Sequence, residues 1–382
     1  MKTFGYILLA ALLALASCTN EINEEGFVDK ENTISFKAYS NKTRTYTSGD
    51  VTKIDEMKQG SFGVVGYKSD NQLYLGTTGG AIEQCWNQSN GHWEYKDKTQ
   101  MKYWPGGNMD FYAFFPYSTS VEVASTDNSD SDPVVTFTNE TGNQDVLFTR
   151  AADVAQTDYV PLYFKHALAK IKSINIDVEA PDVEVAVSKV NILNTSTKGK
   201  IKLYNINGGE ISYEATSNDK IRYCDFSTSP KTISLSNSAT NGVKLFDNDA
   251  NAYIFATNTG VQHNVRGTGK TMWDGSKDAL SGKKVAESGL ICLELECKVK
   301  AKDHYYVGSE STNGKLYIPL RGTSSNSATI SEFLAGRRYI YNIVMSSNVG
   351  YDENGDPIML APIRFSVNEI PDWNDVNITI VL

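Results

Sequence analysis

Leu15-Ala16-Ser17-Cys18 is the run whose residue types and spacing point most directly to a covalent chemistry. A branched apolar residue, two small residues and a cysteine form the pattern cut by the lipoprotein signal peptidase. The small side chains let the backbone enter the peptidase cleft, and the Cys18 thiol becomes the attachment point for diacylglycerol. Other reactive residues do not converge. Gly269-Lys270-Thr271 ends like a phosphate-binding loop, but Asn264 stands where that loop needs glycine, and Trp273-Asp274-Gly275 does not open a helix. His92, His166, His263 and His304 are dispersed without HExxH or zinc spacing, and His166 is read as structural. The acidic clusters at 127–132, 247–251 and 352–356 lack the glycine and glutamate of a calcium loop and read as hairpin tips. No Gly-x-Ser-x-Gly elbow is present. No cofactor, metal or catalytic set is therefore expected, and the chain is read as a non-enzyme. Cys292 and Cys297, five apart, point to opposite faces of a straight strand, so a disulfide between them needs a bulge or bend. Otherwise they stand with Cys85 and Cys224 as free thiols.

The elements around these residues begin with an address. Lys2 precedes an apolar run from Ile7 to Ala16, which as a helix spans about 15 Å, half a bilayer core. Residues 1–17 are thus a signal peptide, either of the lipoprotein kind or an ordinary secretory one with a chance cysteine. Residues 18–31 form a polar tether carrying Glu21, Glu24, Glu25 and Asp29. No later apolar run reaches the ~18 residues of a membrane span. The 382 residues suggest about two domains, and 45 acidic against 36 basic residues argue against a nucleic-acid partner. With 21 Tyr, 15 Phe and 29 Gly, the composition suits short strands and turns.

Period-2 alternation marks a strand at Ile34–Ala38, and short runs bounded by turn residues mark others at Phe62–Tyr67, Leu73–Leu75, Met101–Trp104, Phe111–Phe115, Val134–Phe137 and Val146–Phe148. A linker is expected over Arg150–Tyr159, dividing a first domain (32–156) from a second (157–382). Further strands are expected at Val160–Phe164, Ile171–Val178, Val187–Leu193, Lys200–Tyr204, Ala252–Phe255, Gly289–Val299, Leu316–Pro319, Tyr339–Met345 and Ile363–Val367. In Ile291–Val299 the odd positions are apolar, while Glu294, Glu296 and Lys298 are expected to face water. Helical spacing is confined to His166–Ile171 and Ile330–Ala335. The predicted class is all-β, built of sandwiches. Val376-Asn-Ile-Thr-Ile-Val-Leu382 runs to the last residue, with Val376, Ile378, Ile380 and Leu382 on one face. It either pairs inside its own domain or pairs with another molecule.

The order of several blocks resembles the fimbrillins, subunits of type V pili in Bacteroides-type bacteria. They are the Cys18 lipobox, Ile34-Ser-Phe-Lys-Ala-Tyr39 with Lys42-Thr-Arg44, Phe62-Gly-Val-Val-Gly-Tyr67 and Tyr103-Trp-Pro-Gly106. They continue through Phe111–Tyr117, Asp145–Phe148, Val160–Lys170, Phe333–Arg337 and the Val376–Leu382 terminus. The resemblance implies two transthyretin-like β-sandwich domains and export to the outer membrane as a palmitate-bearing lipoprotein. It implies removal of the N-terminal strand by a trypsin-like protease, and then filling of the vacated groove by a neighbouring subunit's strand. On this chain Cys18 would be lipidated, and Arg44 or else Lys42 cut, with Arg150 a further alternative. Ile34, Phe36 and Ala38 would be expelled, and Val376, Ile378, Ile380 and Leu382 donated. The implied function is a surface fimbrial subunit contributing to adhesion, with other subunits and a host or bacterial surface ligand as partners. The alternatives are a tip or accessory fimbrillin, or a glycan-binding lipoprotein that stays lipid-anchored, with Trp86, Trp93, Trp104 and Trp273 as sugar platforms.

Overall fold

The computed structural model describes residues 32–40, 57–123, 125, 133–138, 144–196, 198–206, 209–215, 219–236, 243–245, 252–258, 261–262, 265–323, 328–359, 363–367 and 376–377. Cys18, Lys42, Arg44, Ile378, Ile380 and Leu382 lie outside the described residues.

Alternation in the sequence becomes a ladder of strands: β1 (Phe36–Ser40), β2 (Ser61–Lys68), β3 (Leu73–Leu75), β4 (Ile82–Asn87), β5 (His92–Tyr95), β6 (Met109–Phe115), β7 (Val121–Glu122), β8 (Val134–Thr138), β9 (Leu147–Val154) and β10 (Val160–His166). The first sheet runs β1-β10-β9-β6-β2-β4-β5, with β3 added on β2. Both of its faces are apolar. Phe62, Val64, Phe111 and Ala113 enter one core, while Val65, Tyr67, Tyr112 and Phe114 enter another. Gly63 in β2 is required by packing, because a Cβ there would enter the Phe114 ring on β6.

The chain continues through β11 (Leu168–Val178), β12 (Val183–Thr195), β13 (Lys198–Ile206), β14 (Gly209–Ala215), β15 (Asp219–Asp225), β16 (Lys231–Ser234), β17 (Val243–Lys244), β18 (Ala252–Phe255), β19 (Val261–Gln262) and β20 (Val265–Arg266). A second sheet, β19-β20-β14-β13-β8-β7, joins strands from both sides of residue 157 and covers the outer face of the first. The remaining strands are β21 (Cys292–Ala301), β22 (His304–Val307), β23 (Gly314–Pro319), β24 (Gly322–Thr323), β25 (Thr329–Ile330), β26 (Arg338–Met345), β27 (Asn348–Tyr351), β28 (Pro357–Met359), β29 (Ile363–Val367) and β30 (Val376–Asn377). The third sheet, β17-β11-β26-β29, stacks on the fourth, β15-β12-β21-β23-β27-β28, around an aliphatic core.

Several expectations are corrected. The linker expected over Arg150–Tyr159 is the second half of β9 and a short turn, because Tyr112 pairs with Arg150 and Phe111 with Ala151. The expected 156/157 boundary falls inside the first sheet, since β10 pairs with both β9 and β1. The chain changes sheet at the fully buried Ala167, between β10 and β11. The helical spacing at His166–Ile171 belongs to strand, because every residue from Ala167 to Ile171 is buried where the chain passes from one sheet to the next. Ile330–Ala335 is the end of β25 and a turn. Met101–Trp104 makes an isolated bridge between Tyr103 and Thr33 rather than a strand.

Candidate functional site

The first sheet curls until the two ends of its path meet. Tyr95 on β5 donates its hydroxyl to the Ile34 carbonyl just before β1, at 2.9 Å. The residues leading into β1 are held on both edges. Ile34 N donates to Lys102 O at 2.9 Å and Trp104 N to Asn32 O at 2.8 Å, while Val160 N donates to Ser35 O at 2.8 Å. From Phe36 onward β1 runs parallel to β10, with Phe36 opposite Val160, Ala38 opposite Leu162 and Ser40 opposite Phe164. β1 therefore closes a groove.

What it closes is rich in aromatic rings. Ile34 and Phe36 are fully buried, and Ala38 is half-buried against the same core. The Phe36 ring meets Phe111 at 5.6 Å and Phe62 at 6.4 Å, edge to face in both cases. Phe62 meets Trp93 at 4.9 Å and Phe164 at 5.5 Å. Burying Ile34 and Phe36 contributes roughly 3–6 kcal/mol together. Tyr95 is kept neutral, since burial pushes its phenol far up. On the outer face Tyr39 stacks on Tyr163 at 5.1 Å. The structure thus brings Ile34, Phe36 and Ala38 onto one wall.

At the other end of the chain, β30 lies parallel to β26, with Val376 opposite Tyr339 and Asn377 opposite Ile340. It shares that edge with β29, which pairs from Tyr341 to Met345. Val376 is thereby separated from the β1 groove and seated in its own third sheet.

Arg150 is poorly suited to proteolysis. It is paired in β9, its Nη2 reaches Asp110 Oδ2 at 2.5 Å, and its guanidinium lies 5.5 Å from the Tyr112 ring centre. His166 Nδ1 sits 2.9 Å from Asp145 Oδ2, a structural contact between the end of β10 and the residues leading into β9. The tip at 352–356 is a hairpin turn between β27 and β28, with Asp352 N donating to Asp356 O. Among the described residues no group of three or more His, Cys, Asp or Glu side chains could hold a metal. Trp93, Trp104 and Trp273 are buried core residues, and Trp86 is half-buried against Trp93. The β4–β5 hairpin, which supplies Gln84, Trp93 and Tyr95 to the groove end, was not anticipated. Its signal was Asn90-Gly91 between two short aromatic-bearing runs. Cys85, Cys224, Cys292 and Cys297 are free.

Sheets stacked in pairs around apolar cores define a β-sandwich protein. Residues 43–355 match the family model described as fimbrillin-like, and the chain belongs to that family. Among solved structures, it is similar to a fimbrial protein from Bacteroides vulgatus ATCC 8482, 15% identical with a TM-score of 0.48, covering 82% of this chain and 95% of that one. A fimbrilin (fimA) from Porphyromonas gingivalis W83 is 12% identical with a TM-score of 0.40, covering 92% of this chain and 98% of that one. No curated protein matches the chain in sequence.

Proposed function

We propose that the protein is a structural subunit of a cell-surface fimbria, polymerised by donor-strand exchange and contributing to adhesion. In this reading it travels to the outer membrane as a lipoprotein acylated at Cys18. A trypsin-like protease cuts after Arg44, or after Lys42, and β1 leaves with the lipid. Val376–Leu382 of a neighbouring subunit then fills the groove. The geometry of β1 carries the proposal: a five-residue parallel edge strand inserts Phe36 among Phe62, Phe111 and Phe164, and the chain exits it only two residues before Lys42.

The energetics favour exchange. Val376, Ile378, Ile380 and Leu382 on one face would contribute roughly 6–12 kcal/mol against roughly 3–6 for Ile34 and Phe36. Each backbone bond of the new ladder adds about 1 kcal/mol net. The donor must first give up its two-residue pairing with β26. A strand passed from each molecule to the next is a head-to-tail contact, which grows open filaments.

The test is Arg44→Ala combined with Lys42→Ala. Uncut, lipidated monomer is expected to accumulate, and the polymer ladder on non-denaturing gels to vanish. A normal ladder from the double variant would overturn the cleavage step.

A further inference from the structure

Between the lead into β1 and the β4–β5 hairpin lies a cleft of about 490 Å³, within the size range of small-molecule sites. Thr33, Gln84, Trp93 and Tyr95 line it from within, and Asp158 and Tyr159 stand exposed at its rim. Gln84 is the anomaly. It lies on the inward face of β4 between Ile82 and Trp86, it is 1% exposed, and its Nε2 has no hydrogen-bond partner. A buried donor is ordinarily satisfied, so an unpaired amide in the wall of a cleft calls for an acceptor.

The remaining chemistry narrows what that is. Glu94 is held by Lys98 at 2.6 Å, Asn87 at 2.9 Å, Asn90 at 3.1 Å and His92 at 3.0 Å. The bond from Lys98 and those from the two amides hold its carboxyl down to about 2, against the desolvation of burial. The wall therefore keeps a carboxylate whose cation is already committed, and Asp158 adds a second at the rim. Anionic ligands are disfavoured there. A neutral ligand that accepts from Gln84, donates hydroxyls to Asp158, and lays a C–H face on the Tyr159 ring satisfies every group.

We propose that this cleft binds a neutral saccharide, with Gln84 as the buried recognition donor and Tyr159 as the stacking platform. Thr33 and Ser35 belong to the segment that leaves with β1, so the site as described is that of the uncut chain, and its failure leaves the fimbrial reading intact. The experiment is saturation-transfer NMR on the uncut full-length chain, in a detergent without a sugar headgroup. The probes are methyl α-mannoside, methyl β-galactoside and N-acetyllactosamine, with the methyl glycoside of sialic acid as the anionic comparison. Transfer to at least one neutral probe is expected, with the anionic probe silent. Gln84→Leu and Tyr159→Ala should each weaken it at least tenfold, and Gln84→Leu should leave the Tm unchanged or raised, because it removes an unpaired donor. Should Gln84→Leu fail to fold, the exposed Tyr159→Ala decides alone. No transfer to any neutral probe, equal transfer to the anionic one, or binding retained within twofold in the folded variants overturns the proposal.

Discussion

Around Phe36 the core is built of rings meeting edge to face, whereas between the third and fourth sheets it is built of Ile, Val and Leu. The two cores are also closed differently. β12 and β21 pair from Val183 opposite Ala301 to Leu193 opposite Cys292, with one register shift between Val187 and Lys189, so a long antiparallel ladder seals the aliphatic core. The aromatic core is sealed by five residues of β1 along β10 and by the bridge to 102–104. Large rings keep their contacts with one another when one neighbour leaves, and a short strand has few backbone bonds to break. Local opening is drawn from segments of this kind. The molecule thus joins a core closed by a long ladder to one closed by a short edge strand.

The sharpest way to break that contrast is Phe62→Ala. Phe62 touches Phe36, Trp93 and Phe164, so the truncation should cost about 3–5 kcal/mol in the first sheet. Hydrogen exchange should then speed up across β2, β6 and β10 while β12 and β21 stay protected. Equal loss of protection in β12 and β21 would mean that the two bodies open as one.

A middle-sized effect is expected on the fourth sheet. Glu294 is 1% exposed, 2.7 Å from Lys220 Nζ and 3.0 Å from Lys315 Nζ, and it accepts from Asn191 Nδ2 at 3.0 Å. Burial raises its pKa, but the bonds and charges of the two lysines outweigh that and leave it below 4.5. A depressed folded pKa means stability that is complete above the unfolded value and lost as pH falls through the folded one. Glu294→Gln should cost about 2 kcal/mol at neutral pH, since both lysines are partly exposed and screened. The difference in Tm between wild type and variant should shrink as pH drops below about 4.5. A difference that stays constant down to pH 3 would show that Glu294 acts by packing rather than charge.

This residue also marks how far the sequence could be read. β21 alternates in sequence, and the opposite faces expected for Cys292 and Cys297 are found: Cys297 packs in the aliphatic core and Cys292 beside Trp273 and Tyr317. Burial pushes the Cys297 thiol up to about 12. Glu294, expected to face water from the same alternation, is covered instead, because Lys220 and Lys315 arrive from β15 and β23. Alternation reports one strand's faces, not what its neighbours lay over them. The same limit hid Gln84, whose polar side chain breaks the apolar pattern of β4 while pointing inward. The blocks of the β1 groove were each legible. Their closure by Tyr95 and Ile34 was not, since it joins residues 61 positions apart.

The smallest effect sharpens the comparison most finely, because it loosens β1 without touching its core. Tyr39 stacks on Tyr163 outside the groove, and Lys37 Nζ lies 5.6 Å from its ring centre. An aromatic pair of this kind is worth about 0.5–1.5 kcal/mol. If β1 opens locally, Tyr39→Ala should raise the rate of limited trypsin cleavage in the 42–44 segment by roughly two- to tenfold, since 1.4 kcal/mol is a factor of ten. The global Tm should move by less than the Phe62→Ala variant moves it. A cleavage rate unchanged while the Tm falls would mean that β1 leaves only when the whole sheet unfolds, and the first body would then be no more reopenable than the second.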